Sequence, residues 1–292
     1  MKPCISELYS ILLGVEESIP GVVYKFTKDE NFQEIDNISE SQLVYWSEII
    51  QRLHACSATT LLRLKKWIEA IQIAFEQKNY YGFCASSRGL IEACSDSFYT
   101  LGSVIYPIAE NFKYIKIATK GESTKIILSE SIENHLIHYL YARKLTRPEK
   151  DAFPDSHNAI DVREYLKSIN DENAIKLYAE LCQVSHPSTM SLIPFLIEND
   201  EYGLTLHKKQ IDDILNRNIL DRHRETIYNS TMHALATSLC GLKMVNYFDV
   251  PLFESLHTDE KAFISLEGYP LWLSIEEKIN NSFKGNLLGS GL

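Results

Sequence analysis

Apolar residues recur every three or four positions from Leu43 to Phe75: Leu43, Trp46, Ile50 and Leu53, then Leu61, Leu64, Ile68, Ile71 and Phe75. A period near 3.6 over so long a run marks an amphipathic helix and fits no strand of ordinary length. It predicts one helix, or two end to end, over residues 40–78. Such an element must bury its apolar stripe against other helices. Helix breakers are scarce in the rest of the chain, with 12 glycines and 9 prolines among 292 residues. Long helices are therefore expected elsewhere too.

The segment "KNYYG" interrupts the first pattern, and a second helix is predicted over 81–103, bent or ended at Pro107. Ser123 is the expected N-cap of a helix over 124–145. "TRPEKDAFPDSHN", residues 146–158, reads as an exposed loop. Shorter helices come next at 159–168 and 172–185, the latter stopped at His186-Pro187. Only residues 191–207 have strand character, around Asn199 and Asp200. A long helix is predicted from near 208 to 247, and a last one over 258–283, interrupted at "EGYP". The expected fold is an all-α, irregular multi-helix bundle of about eight helices with at most one short β-hairpin. Residues 1–292 are read as a single helical domain. Its core is 40–247, with a C-terminal helical extension at 248–284 and a frayed tail at 285–292.

A net charge of −10 argues against broad, non-specific binding to nucleic acid or anionic membrane, while leaving room for a local basic site. No stretch has the roughly 18 consecutive apolar residues of a membrane span. Glu7, Glu16 and Glu17 interrupt the N-terminal segment where a signal peptide would be apolar. The six cysteines, Cys4, Cys56, Cys84, Cys94, Cys182 and Cys240, are scattered without a Cys-x-x-Cys pair. They read as reduced thiols of a cytoplasmic protein.

Within the second helix, "ASSRGLIEACSDSF" carries Arg88, Glu92 and Asp96, each four residues from the last. They are the sole charges between Tyr80 and Ile108. A helix apolar nearly all round is a buried helix. Charges on it must be paired or face a cleft, because an isolated buried charge costs several kcal/mol. Two readings are open: a buried ion pair that fixes helix packing, or a pocket in which Arg88 holds a phosphate or carboxylate and Glu92 orients it.

His186 closes the helix of "YAELCQVSHPST". The helix dipole there favours a protonated ring, and Pro187 turns the chain so that the ring stands at a rim. It is a candidate acid or base. The alternative is a ring bonded to the last carbonyls of its own helix. Ser188 or Thr189 is placed to cap the next segment of chain.

"SSRGLIEA" and "ELCQVSHPS", within residues 80–247, resemble the motifs of a bacterial family of all-helical proteins related to the wider HEPN group. Many HEPN proteins are ribonucleases of toxin and antiphage systems, and many carry an arginine, then four to six residues, then a histidine, often with a polar residue straight after the arginine. "RNILDRH" fits that spacing with Arg217, Asn218 and His223. The other reading of this patch, with Arg222 and Arg224 beside it, is a solvated charged helix face. The resemblance implies metal-independent RNA cleavage by a 2′-hydroxyl, with Arg88, Glu92 and His186 or Arg217 and His223 as catalytic residues.

No cofactor or metal is expected. The chain has no Gly-rich phosphate loop, no Gly-x-Ser-x-Gly and no His-Glu-x-x-His. Glu130, Glu133, His135 and His138 contain no Glu-x-x-His pair, while Asp155, His157 and Asp161 read as loop and N-cap residues. Tyr80, Tyr81, Tyr139 and Tyr141 are expected at the surface and, with the long apolar faces, point to a homodimer. The resemblance therefore points to an RNA-cleaving effector of bacterial defence. The acidic charge and the lack of a basic stripe point instead to a non-catalytic module for a protein partner or small ligand.

Overall fold

The structure is a computed structural model that describes residues 5–199, 203–206, 211–251 and 255–284. The expected periodicity near residue 43 is one unbroken helix. In chain order the helices are α1 (Ile5–Ser18), α2 (Asp29–Gln33), α3 (Ile38–Glu76), α4 (Tyr80–Glu110), α5 (Phe112–Ala118), α6 (Glu130–Tyr141), α7 (Arg147–Ala152), α8 (Val162–Ser168), α9 (Glu172–Ser185), α10 (Asp212–Val245) and α11 (Pro270–Lys284). Short 3₁₀ turns lie at Asp155–His157, Thr189–Ser191 and Glu260–Leu266. Strands β1 (Leu196–Asn199) and β2 (Gly203–Leu206) form one antiparallel hairpin, with Leu196 opposite Leu206. The fold is all-α with a single short hairpin among the described residues. The expected frayed tail at 285–292 lies outside them, as does Asp200, where the sequence predicts the hairpin turn.

Helix α4 is the hub: α3, α10, α9, α6, α8 and α11 all pack against it. The core runs the length of the α3–α4–α10 layer, where Trp46, Ile50, Leu53, Leu90, Ile91, Leu101, Leu235 and Leu239 are buried. Many residues at this interface are small and polar. Ser97, Thr231 and Ser238 return their hydroxyls to the carbonyl one turn back, Ala93, Ile227 and Ala234 respectively. Local back-bonding lets a hydroxyl be buried without a distant partner. Gly241 shows how close the helices come. A methyl there would stand 2.3 Å from the Ser57 hydroxyl oxygen. Helix α1 buries Leu8, Leu12 and Val15 on α3, and Lys65 of α3 anchors it through Glu16 at 2.7 Å. Among the described residues no helix is long and apolar enough to cross a membrane.

Several boundaries differ from the sequence expectation. α4 continues through Pro107 to Glu110. Proline removes one hydrogen bond there, but Val104, Ile105, Ile108 and Ala109 are all fully buried, and that burial outweighs the loss. Ser123 caps no helix; its hydroxyl bonds the carbonyl of Lys125, and α6 starts seven residues later under Ser129. The intervening chain runs extended along α3, where Gln42 accepts from the Ile127 amide and Trp46 donates to the Ile127 carbonyl. Residues 146–158, expected as loop, hold α7, started by Glu149 accepting from the Thr146 amide and hydroxyl. Tyr80 is buried, not exposed. Tyr81 donates to the Ser191 carbonyl and the Tyr139 hydroxyl bonds Thr60, which leaves Tyr141 as the exposed member of the four.

Candidate functional site

Residues four apart on a helix share a face, and α4 presents Arg88, Glu92 and Asp96 in that way. Ala85, Ser86, Ser87 and Gly89 surround Arg88, so α9 can lie close against this face. Arg88 Nε sits 2.9 Å from Glu92 Oε1. Tyr178 of α9 donates its hydroxyl to the same oxygen at 2.8 Å, and the Arg88 guanidinium lies 5.6 Å from the centre of the Tyr178 ring. Arg88 Nη1 is 3.0 Å from His186 Nε2. Arginine can only donate, so Nε2 accepts in this contact and a ring proton sits on Nδ1. The site is partly open: the side chains of Arg88 and Glu92 are 26% and 34% exposed, and His186 is exposed.

His186 reaches Arg88 because α9 stops where the sequence says it must. His186 has extended backbone, with φ −114° and ψ 159°, and its amide donates to the Cys182 carbonyl. Ser188 then caps the 3₁₀ turn Thr189–Ser191 and bonds back to the Gln183 carbonyl. The chain beyond Pro187 is thereby folded against the end of α9, and the imidazole projects across to α4. Burial opposes the charge on Arg88, but the Tyr178 hydroxyl and the Glu92 carboxylate more than offset it and raise its pKa. Tyr178 is pushed up by burial and by Glu92. Its proton therefore stays in place to hold the carboxylate.

Asp96 joins a different pair. Arg63 of α3 reaches it at 2.6 Å and also donates to the Ala93 carbonyl. The three-charge stripe is thus split between two arginines from two helices. Arg217 and His223 of α10 do not meet either. Arg217 pairs with Asp213 at 3.2 Å and lies over the Phe75 ring. His223 Nε2 is 2.8 Å from Glu180 Oε2, and Arg222 takes the other oxygen of the same carboxylate. Six positions along a helix turn the two side chains away from each other, and the packing of α9 decides their partners.

The described residues hold no group of three or more His, Cys, Asp and Glu side chains placed to bind a metal. His135 bonds its own helix at the Ser131 carbonyl, and His138 sits between the Ser156 carbonyl and the Tyr165 hydroxyl. Asp161 caps α8. Of the described cysteines, Cys56, Cys84, Cys94 and Cys240 are buried and Cys182 is partly exposed; all are free. Tyr178 and Arg63 were missed from the sequence. The need of Glu92 and Asp96 for partners was legible, but a tyrosine on a helix 86 residues away carries no signal of its own.

Comparison with protein-family models, with curated proteins and with solved structures finds no match for this chain.

Proposed function

We propose that Arg88, Glu92 and His186 form the active centre of a metal-independent endoribonuclease. The contact of Arg88 with His186 at 3.0 Å carries this reading. It puts a planar cation and an imidazole where one RNA phosphate can touch both. A phosphate drawing the guanidinium towards its oxygens frees His186 Nε2 to take the proton of the adjacent 2′-hydroxyl. The 2′-oxygen bonds phosphorus, the bond to the 5′-oxygen breaks as that oxygen takes a proton from water, and the products are a 2′,3′-cyclic phosphate and a 5′-hydroxyl. Arg88 stabilises the charge that builds on the phosphoryl oxygens, with Glu92 and Tyr178 fixing its plane. The resemblance of the surrounding motifs to HEPN proteins supports the same chemistry and suggests a toxin-like role in bacterial defence. A homodimer belongs to this reading, with exposed Ile126, Leu128, Tyr141 and Phe153 as apolar surface for it.

One observation favours a non-catalytic binding module for a protein partner or small ligand. The arginines of the two proposed sites are matched by carboxylates, Arg88 by Glu92, Arg63 by Asp96, Arg217 by Asp213 and Arg222 by Glu180, so little unpaired arginine charge remains at those sites for a polyanion. Incubating the purified protein with total RNA in EDTA separates the two. The ribonuclease reading expects cleavage that His186→Ala abolishes and His223→Ala spares. Loss only in His223→Ala would move the site to α10. Absence of cleavage by the wild type favours the binding module.

A further inference from the structure

A cleft of about 350 Å³ opens beside the Arg88 centre, one helical turn along α4. Arg63, Trp67, Glu92, Asp96, Tyr139 and Tyr165 are among the residues that line it. Its volume is at the lower end of the range for small-ligand sites, about 300–1,000 Å³. The walls are aromatic. Trp67 packs against α4 at Gly89, where a methyl group would stand 2.6 Å from the indole ring. Only glycine admits a ring there, and the half-buried indole is held one residue from Arg88.

The polar atoms of the cleft are unevenly satisfied. Tyr139 is bonded to Thr60, and Tyr165 to His138, which burial keeps neutral. Glu92 receives both Arg88 and Tyr178 on Oε1, which leaves Oε2 without a hydrogen bond among the described residues. Asp96 receives Arg63 on Oδ2, which leaves Oδ1 in the same state. Arg63 donates twice through Nη2, while its buried Nε has no partner. Two carboxylates, each with an oxygen to spare, and an arginine therefore line one small cleft. The lining carries one arginine and two carboxylates, with Arg88 paired to Glu92 outside it, so a neutral, planar guest suits the site better than an anion.

We propose that this cleft is a guanine subsite, in which the base stacks on Trp67, gives its N1–H and N2–H₂ donors to the free carboxylate oxygens of Glu92 and Asp96, and accepts from Arg63 at O6. Two donors beside one acceptor is the row that a guanine edge presents. Adenine, cytosine and uracil each offer a single donor position along theirs. Base stacking on an aromatic side chain is tolerant of sequence, so the hydrogen bonds select and the indole holds. The consequence for RNA cleavage, a preference for phosphates next to guanosine, rests on the ribonuclease reading. Binding of the base itself does not.

Calorimetric titration of the full chain with guanosine, inosine, adenosine, cytidine and uridine tests the proposal. Guanosine should bind at least tenfold more tightly than adenosine or uridine, and inosine, which lacks the 2-amino group, should lose most of that margin. Trp67→Leu should weaken guanosine binding tenfold or more, while Trp67→Phe stays within threefold of wild type, both with an unchanged circular dichroism spectrum. Equal affinity for all five nucleosides, no guanosine binding, or a Trp67→Leu variant that binds like wild type would overturn it. RNA cleavage is measured separately. Guanosine binding without cleavage supports the subsite and removes the ribonuclease reading, whereas cleavage without guanosine binding or base preference removes the subsite alone.

Discussion

Arg88 and His186 stand 98 residues apart in the chain, and 3.0 Å separates the guanidinium from the imidazole. Neither is held by the other alone. Arg88 is braced by Glu92 one turn along α4, and Glu92 by Tyr178 two turns back from the end of α9. The arrangement is a small network in which each member sets the direction of the next.

If the two residues act on one phosphate, their substitutions will not add. Arg88→Ala and His186→Ala should each reduce RNA cleavage by about 100-fold or more, as removal of one charge-stabilising donor does elsewhere. The double variant should be little worse than either. Arg88→Lys should recover little, because an ammonium cannot hold Glu92 and a phosphate in one plane. Initial rates on a single fluorescent RNA give all four values.

Tyr178→Phe removes one hydrogen bond to a partly exposed carboxylate. Its cost to stability should be about 1 kcal/mol by urea unfolding. Cleavage should fall further than that loss of folded protein explains, since Arg88 would no longer be locked against Glu92. Unchanged kinetics would assign Tyr178 a purely packing role.

His54 is fully buried on α3, with the Tyr24 hydroxyl 2.7 Å from Nδ1 and no partner for Nε2 among the described residues. Burial pushes its pKa down to about 4. The unfolded chain gains a proton near pH 6.5 and the native one near pH 4, so stability should drop as pH falls through that window and level off below it. The shift corresponds to about 3 kcal/mol. A His54→Gln variant, followed by denaturant unfolding at steps from pH 7 to pH 4, should show a flatter profile than wild type.

Gly241→Ala sets two effects against each other. Alanine gains about 1 kcal/mol of helix propensity, but its methyl meets the Ser57 hydroxyl at 2.3 Å in a fully buried contact. Overpacking of this kind costs about 1–3 kcal/mol, so the variant should be less stable. Adding Ser57→Ala removes the clashing oxygen and should restore the melting temperature to the wild-type value or above.

Thiol labelling should track burial. Cys56, Cys84, Cys94 and Cys240 are buried, and burial raises the pKa of each thiol. Among the described cysteines, Cys182 should react first with a disulfide reagent under native conditions. The other four should wait for denaturant.

Periodicity by itself determined the helical class, the long α3 and α10 and the stop of α9 at His186-Pro187. These are local matters of side-chain spacing and of a proline's effect on the residue before it. The shortage of charges between Tyr80 and Ile108 also disclosed that α4 is central, because a chain segment with no solvated face has nowhere else to go. Arg88 and Glu92 could be paired from their spacing alone. Only the tertiary structure decided that Asp96 belongs to Arg63, that His186 reaches across to Arg88, and that Arg217 and His223 take separate carboxylates. Each of these choices depends on where α3 and α9 dock on α4 and α10. That docking is set by the summed fit of many buried side chains, while the motif residues themselves are a few surface-facing polar groups that take whichever partner the packing brings within reach.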